Sequence, residues 1–147
     1  MPIQINLKKK LNYFGIDISC VCPDGKMLVM IGPSGGGKTT IIRMLAGLDR
    51  PDEGKIIYND EIWFDSTANI NVPARKRRLG YVFQDYTLFP NLSLYQNAAF
   101  AAVKKKEIDA LFEIFKIAHL RDRKPHMVSG GERQRCAICQ ALARHPR

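Results

Sequence analysis

Apolar and polar positions alternate along the first third of the chain, and this period of two predicts β-strands. Strands are expected over residues 3–7 and 16–22, and the continuous apolar run over residues 27–31 predicts a buried parallel strand. A hairpin is expected further on, with strands over residues 55–58 and 61–64 joined by a tight Asn-Asp turn. The early part of the chain is therefore rich in strands.

The pattern then changes to a helical period. Residues 79–84 form one more buried-strand candidate, and helices are expected after it. Ser93 with Gln96, and Ser129 with Glu132, have the spacing of capping boxes and predict two helix starts, the second helix running to about residue 144. Between them, one helix is predicted by apolar residues at i, i+3, i+4 and i+7, which are Ile108, Leu111, Phe112 and Phe115.

Composition limits the class of protein. The chain has 147 residues, of which 46% are hydrophobic and 25% charged, as in a soluble globular domain without a membrane-spanning run. The net charge is +9, but the basic residues are dispersed over residues 8–10, 75–78, 104–106 and 121–124. This dispersal favours solvated faces over a nucleic-acid surface, so no nucleic-acid partner is expected.

Four cysteines allow two interpretations. Cys20 and Cys22 lie on the apolar phase of a predicted strand, and Cys136 and Cys139 lie three apart on one side of a predicted helix. Buried core thiols without a disulfide are the favoured interpretation. A zinc site made of four thiolates is the alternative.

The segment from residue 32 to residue 40 fits G-x-x-x-x-G-K-[ST], the phosphate-binding P-loop. A predicted strand precedes it, and a predicted helix over residues 40–46, closed by Gly47, follows it. Glycines let phosphate oxygens reach backbone N–H groups, a lysine can reach the β- and γ-phosphates, and a threonine can ligate Mg²⁺. The candidate binding residues are Gly32, Pro33, Ser34, Gly35, Gly36, Gly37, Lys38, Thr39 and Thr40. The alternative is an ordinary glycine-rich turn with a surface lysine.

A second glycine-containing helix start supports the first motif. Ser129, Gly130, Gly131 and Glu132 combine a hydroxyl donor, two exposed backbone N–H groups and the positive end of a helix. By itself this is a well-capped helix; together with the P-loop it is much more specific.

These motifs together resemble the ATP-binding subunit of ATP-binding-cassette (ABC) transporters over essentially the whole chain. Residues 32–40 match the Walker A motif, Gln84 matches the glutamine loop, and residues 128–132 match the signature motif. The text around residues 77–90 is most similar to that of oxyanion importers, molybdate importers above all, with iron, sulfate and polyamine importers sharing much of it.

The resemblance implies an α/β fold: a P-loop NTPase (RecA-like) core with an antiparallel β portion and an inserted helical subdomain. The expected division is residues 1–89 for the core, 90–128 for the helical subdomain and 129–147 for the return to the core. It also implies an ATPase that uses ATP and Mg²⁺, with Lys38 and Gln84 acting in catalysis and Thr39 and Gln84 near the metal.

Further roles are implied by the same resemblance. Ser129, Gly130, Gly131 and Glu132 would contact ATP held by a second copy in a head-to-tail dimer. Residues 85–94 would face transmembrane permease subunits, which places the protein in the cytoplasm, peripheral on the inner face of the membrane. Tyr13 is the candidate for stacking on adenine, and packing in the first sheet is its alternative role.

The family's Walker B aspartate, catalytic glutamate and switch histidine would follow residue 147, so a chain incomplete at its C-terminus is expected to bind ATP poorly and to hydrolyse almost none. Two other functions remain open: a DNA-repair or chromosome-maintenance ATPase of the same superfamily, and a non-catalytic nucleotide-binding fragment.

Overall fold

The computed structural model describes residues 2–100 and 102–146. The chain divides into two compact units, the first ending at Arg77 and the second beginning at Arg78. Each unit has its own core and is described by itself.

The first unit is built on a five-stranded antiparallel sheet with the strand order β2-β1-β3-β4-β5. The strands are β1 (Ile3–Lys10), β2 (Gly15–Cys22), β3 (Glu53–Tyr58), β4 (Glu61–Asp65) and β5 (Ile70–Asn71). One helix, α1 (Lys38–Ala46), belongs to this unit and ends at Gly47. The strands predicted over residues 3–7, 16–22, 55–58 and 61–64 are confirmed as β1 to β4, and the helix predicted before Gly47 is confirmed as α1.

Alternation along β1 explains how the sheet buries one face. Ile5 and Leu7 are buried, whereas the alternate residues Gln4 and Asn6 are exposed. Ile5 pairs with Ile56 of β3, which is fully buried. Each such aliphatic side chain contributes on the order of 1.5–3 kcal/mol to folding through its removal from water.

The hairpin between β3 and β4 turns where the sequence predicts. Asn59 and Asp60 both have left-handed backbone angles, with φ of 45° and 68°. Two consecutive left-handed residues are typical of the tight turns that match the twist of antiparallel strands, and Asn and Asp tolerate this conformation best among residues with side chains.

Gly54 lies at a close approach of β1 and β3, where it pairs with Leu7. Its φ is 109°, and a Cβ atom at this position would overlap the backbone carbonyl of Asn6. Only a residue without a side chain lets the two strands pair here.

Residues 27–31 do not form the predicted strand. Met27, Val29 and Ile31 have exposed fractions of 88%, 65% and 92%, and no ladder among the described residues pairs this segment. A parallel strand exists only when neighbouring strands satisfy its N–H and C=O groups, and the sheet of this unit is entirely antiparallel. The segment has the apolar sequence of a buried strand, but it pairs with no other strand in the described part of the chain.

Arg77 corrects the expectation that residues 75–78 form a solvated basic face. Its side chain is 1% exposed, and its guanidinium donates to the carbonyl oxygens of Met44 and Leu45 at 2.9 and 2.7 Å. It also donates to the carbonyl oxygen of Val72 at 2.8 Å. Burial lowers the pKa of Arg77 to about 10, so the group still carries its charge at neutral pH.

The second unit is helical. It contains α2 (Leu94–Phe100), α3 (Glu107–Ile114) and α4 (Gly130–Leu142), with short 3₁₀ turns at Ala118–Leu120 and Pro125–Met127. Both predicted capping boxes and the predicted middle helix are confirmed. The core of the unit consists of Leu94, Ala98, Ile108, Phe112, Ile117, Cys136 and Cys139.

The four cysteines differ in burial. Cys136 and Cys139 are fully buried, as predicted, and burial raises the pKa of the Cys136 thiol to about 12, which makes it unreactive at neutral pH. Cys20 and Cys22, predicted to be buried, are only half-buried on β2. No group of three or more candidate ligands is placed to hold a metal ion in residues 2–100 and 102–146.

Residues 79–84 also fail to form the predicted strand, and no ladder within the described residues includes them. The reason is the same as for residues 27–31, since neither segment has a paired neighbour. Within residues 2–100 and 102–146, no helix is long and apolar enough to cross a membrane.

Candidate functional site

The P-loop bends at two left-handed glycines and then becomes a helix. Gly35 and Gly37 have φ of 81° and 82°, and Gly37 is the N-cap of α1. The first helical bond runs from the Ile41 N–H to the Gly37 carbonyl at 2.9 Å. The N–H groups of the first helical residues have no intrahelical acceptor, which gives the start of α1 the donors and the positive dipole that bind anions.

The space at Gly37 explains why this position needs glycine. A Cβ atom there would lie 2.8 Å from Cδ1 of Ile16 on β2 and 3.4 Å from Cε2 of Phe14. The left-handed backbone would cost any other residue about 1–2 kcal/mol in addition. The loop is therefore held against β2 at the point where the helix begins.

Lys38 lies over the loop that precedes it. Its Nζ donates to the carbonyl oxygens of Gly32 and Pro33 at 2.8 and 2.6 Å. The loop is otherwise tightened by a bond from the Gly36 N–H to the Pro33 carbonyl at 3.2 Å. The ammonium group and the donors of the helix start thus belong to one segment of nine residues, in which residues 32–36 and Thr39 are exposed and Gly37 is buried.

The aromatic residues before β2 have different surroundings. Tyr13, the predicted adenine-stacking residue, is 97% exposed, so it does not pack in the sheet. Phe14, which the sequence analysis did not select, is 41% exposed. Its ring lies beside Gly37 of the P-loop, where a Cβ atom would be 3.4 Å from Cε2 of Phe14. The only signal for Phe14 in the sequence was its position next to Tyr13.

The signature segment forms a complete capping box. The backbone N–H and the hydroxyl of Ser129 donate to Oε2 of Glu132 at 2.7 and 2.8 Å, and the Glu132 N–H donates back to Oγ of Ser129 at 3.4 Å. These bonds hold the pKa of Glu132 below its ordinary value. Gly130 and Gly131 follow as the first two residues of α4, whose positive end faces outward.

Gln84 is exposed and lies in a turn, in the loop that leads from residue 79 to α2. The end of this loop is fixed by buried Asn97, whose Oδ1 accepts from the Phe89 N–H at 2.7 Å and whose Nδ2 donates to the Phe89 carbonyl at 3.1 Å. The sequence analysis missed Asn97, which belongs to no motif because its role is to hydrogen-bond the backbone of the loop before α2.

The predicted site residues therefore fall into two groups. The P-loop residues and Tyr13 belong to the first unit, and Gln84 with the signature residues belongs to the second. A groove of about 920 Å³ also lies on the sheet, between residues such as Gln4, Asn6 and Lys55, but no P-loop residue lines it. A glycine-rich loop that is followed directly by a helix and is bound by the side chain of its own lysine defines the phosphate-binding loop of the P-loop NTPase fold.

Comparison with known proteins specifies the family. The model of the ABC transporter family matches residues 16–147. The chain belongs to the ABC transporter ATP-binding family.

The similar curated proteins are import subunits. The molybdenum import ATP-binding protein ModC of Paramagnetospirillum magneticum is 40% identical over 151 residues, which is 99% of this chain and 41% of that protein. The sulfate/thiosulfate import ATP-binding protein CysA 2 of Agrobacterium fabrum is 45% identical over 141 residues, 89% of this chain and 40% of that protein. The chain thus spans about two fifths of the length of the curated relatives it matches.

Solved structures agree on the fold. A dimeric ATP-binding cassette in a post-hydrolysis state bound to ADP and Pi has a TM-score of 0.77 and 26% identity, covering 99% of this chain and 71% of that one. A bacterial Atm1-family ABC exporter with ATP bound has a TM-score of 0.81 and 27% identity, covering 99% of this chain and 28% of that one.

Proposed function

We propose that this chain supplies the ATP-binding part of an ATPase that energises the import of an oxyanion. The observation that carries the proposal is the P-loop geometry, in which the Lys38 ammonium group and the backbone donors at the start of α1 belong to the same nine-residue segment. A triphosphate is the ligand whose charge and length match such a loop. Molybdate is the proposed solute, with sulfate as its competitor, because both appear in the names of similar import proteins.

The residue roles follow from this proposal. Residues 32–40 bind the phosphates, and Lys38 neutralises charge that develops during phosphoryl transfer. The hydroxyl of Thr39 and the side-chain oxygen of Gln84 are exposed hard ligands of the kind that Mg²⁺ prefers, so these residues fit the metal. The metal would supply charge neutralisation between the phosphates.

The signature residues serve a second copy. Ser129, Gly130, Gly131 and Glu132 stand at the outward-facing start of α4, where a γ-phosphate held by another molecule would meet the helix dipole. A dimeric cassette among the similar structures supports this arrangement. Residues 85–94 contact the permease on the inner face of the membrane, and Tyr13 stacks on adenine.

The division of the chain into a nucleotide-binding core and a helical subdomain fits the proposed ATP-binding function. We assign residues 1–89 to the nucleotide-binding core, residues 90–128 to a helical subdomain, and residues 129–147 to the return toward the core. The packing of Cys136 and Cys139 with Ile108 and Phe112 supports a rigid connection between the signature helix and the helical subdomain.

Binding of a fluorescent ATP analogue tests the proposal at the residue that carries it. Lys38→Ala is expected to weaken binding at least tenfold, because the charge that meets the β- and γ-phosphates is lost. Lys26→Ala, an exposed lysine of the same unit, is the matched control and should bind like the unchanged chain. Equal affinity of Lys38→Ala and Lys26→Ala would contradict the proposal.

The solute is tested in cells. Deleting the gene is expected to lower the uptake of molybdate and to leave the uptake of sulfate unchanged. The reverse result would assign the chain to sulfate import, and unchanged uptake of both would reject the oxyanion part of the proposal.

A further inference from the structure

The segment after α2 combines exposed apolar and basic side chains. Phe100 and Val103 are 69% and 67% exposed, although they are apolar. Lys104, Lys105 and Lys106 follow directly and are all exposed. We call these five residues the basic loop surface.

The backbone of the basic loop surface is held in place. The Val103 N–H donates to the Ala143 carbonyl at 3.0 Å, which ties the loop to the end of α4. The carbonyls of Lys104 and Lys105 accept from the N–H groups of Glu107 and Ile108 at 3.2 Å each, which ties it to the start of α3. The lysines therefore project from a fixed turn.

The charges on this surface are mostly uncompensated. Lys104 forms an ion pair with Glu107 at 3.3 Å, with side chains 67% and 43% exposed, and such an exposed pair contributes little. In the part of the chain that the structure describes, Lys105 and Lys106 form no ion pair within 4.0 Å. At least two full positive charges thus face solvent beside Phe100 and Val103.

We propose that the basic loop surface binds directly to a bilayer containing anionic lipid headgroups, without the help of a permease. Exposed aromatic and aliphatic side chains next to a lysine run match the two regions of a membrane interface, since apolar groups enter the acyl boundary and lysines meet the phosphates.

A lipid surface fits better than a nucleic acid. Single-stranded nucleic acid binds to successive aromatic platforms, and the second apolar side chain here, Val103, offers no ring for a base to stack on. The headgroup phosphate and the acyl boundary account for both parts of the surface, whereas a phosphate backbone accounts only for the lysines.

Vesicle co-sedimentation tests the electrostatic part. The 147-residue chain is mixed with phosphatidylcholine vesicles, with and without phosphatidylglycerol. Binding is expected only when phosphatidylglycerol is present. The variant K104Q/K105Q/K106Q should bind at least about 25-fold more weakly, from about fivefold for each of the two unpaired lysines.

The chain contains a matched control for this variant. Lys8, Lys9 and Lys10 form a second lysine triplet on β1, where Lys9 is paired with Asp52 at 2.7 Å. K8Q/K9Q/K10Q removes the same number of positive charges as K104Q/K105Q/K106Q. Because its lysines lie outside the basic loop surface, it should keep most of the vesicle affinity. Equal losses in the two triple variants would show that only net charge matters and would overturn the proposal.

The apolar part has its own control. Val103→Ser is expected to lower vesicle affinity severalfold, whereas Ile114→Ser should not, although Ile114 is 70% exposed on α3. Equal effects of the two serine variants, a failure to bind phosphatidylglycerol vesicles, or binding to an oligonucleotide that exceeds binding to vesicles would each overturn it. Circular dichroism verifies that every variant keeps its helix content.

Discussion

The guanidinium of Arg77 is buried between the end of α1 and the β4–β5 part of the sheet. Its Nη1 donates to the carbonyls of Met44 and Leu45, which are among the last in the helix; the Met44 carbonyl also accepts from the N–H of Gly47. It also lies 5.6 Å from the ring centroid of Trp63. A single side chain therefore closes the helix and joins it to the sheet.

Replacing Arg77 should destabilise the chain strongly. Arg77→Ala removes the guanidinium donors of the Leu45 and Val72 carbonyls and leaves a cavity in place of a buried side chain, so it should lower the free energy of unfolding by about 3 kcal/mol. Arg77→Lys keeps the charge but loses the planar fork, so about 2 kcal/mol is expected. Urea unfolding monitored by circular dichroism measures both values.

Arg75→Ala serves as the comparison, because Arg75 is exposed in the short 3₁₀ turn Ala74–Lys76 directly before Arg77 and should change stability by less than about 0.5 kcal/mol. An unfolding midpoint of Arg77→Ala that equals that of Arg75→Ala would contradict the role of Arg77.

For single residues, the sequence predicts which side chains bind phosphate better than it predicts which polar side chains are buried. The P-loop residues follow from fixed spacing, because phosphate binding needs particular residue types in a particular order. Arg77 and Asn97 stand in no such motif, and their roles depend on which carbonyls the folded chain brings near them. Spacing along the chain contains no information about those neighbours.

The elements with strong local signals form as predicted. Helices α2 and α4 both begin at a serine whose side chain and backbone exchange bonds with the residue three positions later. The hairpin at Asn59 and Asp60 likewise follows from residues that tolerate left-handed angles. Such signals are local, so neighbouring residues suffice to determine them.

The two capping boxes allow a matched test of the signature motif. Ser93→Ala and Ser129→Ala should each lower the free energy of unfolding by about 1 kcal/mol, because each removes one N-cap. If Ser129 also contacts nucleotide held by a second copy, only Ser129→Ala should weaken ATP-dependent dimerisation. Analytical ultracentrifugation with and without ATP measures this difference.

The result is decisive in either direction. A loss of dimerisation in both serine variants would mean that helix stability alone controls association. Retained dimerisation in Ser129→Ala would remove Ser129 from the proposed nucleotide contact.

At the scale of the whole molecule, the two segments predicted as parallel strands, residues 27–31 and 79–84, are unpaired. A parallel strand depends on partners that are distant along the chain, so its apolar run shows only that it needs burial and cannot show where its neighbours are. The prediction from sequence is therefore correct for β1 to β4 and for the helices, and wrong for residues 27–31 and 79–84, which form no strand in the described part of the chain.

The exposed run over residues 27–31 should make the 147-residue chain associate with itself. Five consecutive apolar residues with free backbone groups are a typical template for strand pairing between molecules. Val29→Lys is expected to reduce association severalfold, because it places a charge in the middle of the run.

Light scattering over a range of protein concentrations measures the effect. Val21→Lys is the control, since Val21 is 59% exposed on β2, outside the run. Equal reductions by both variants would mean that added charge, and not the run itself, controls association.

Gly54 has a consequence for inheritance. Every missense change in its codon adds at least a methyl group where the carbonyl of Asn6 already fills the space. Since β3 is the central strand of the sheet and β1 is its neighbour, such an allele would separate the two strands through which the others are joined. Missense changes in the codon for Gly54 should therefore be tolerated very poorly.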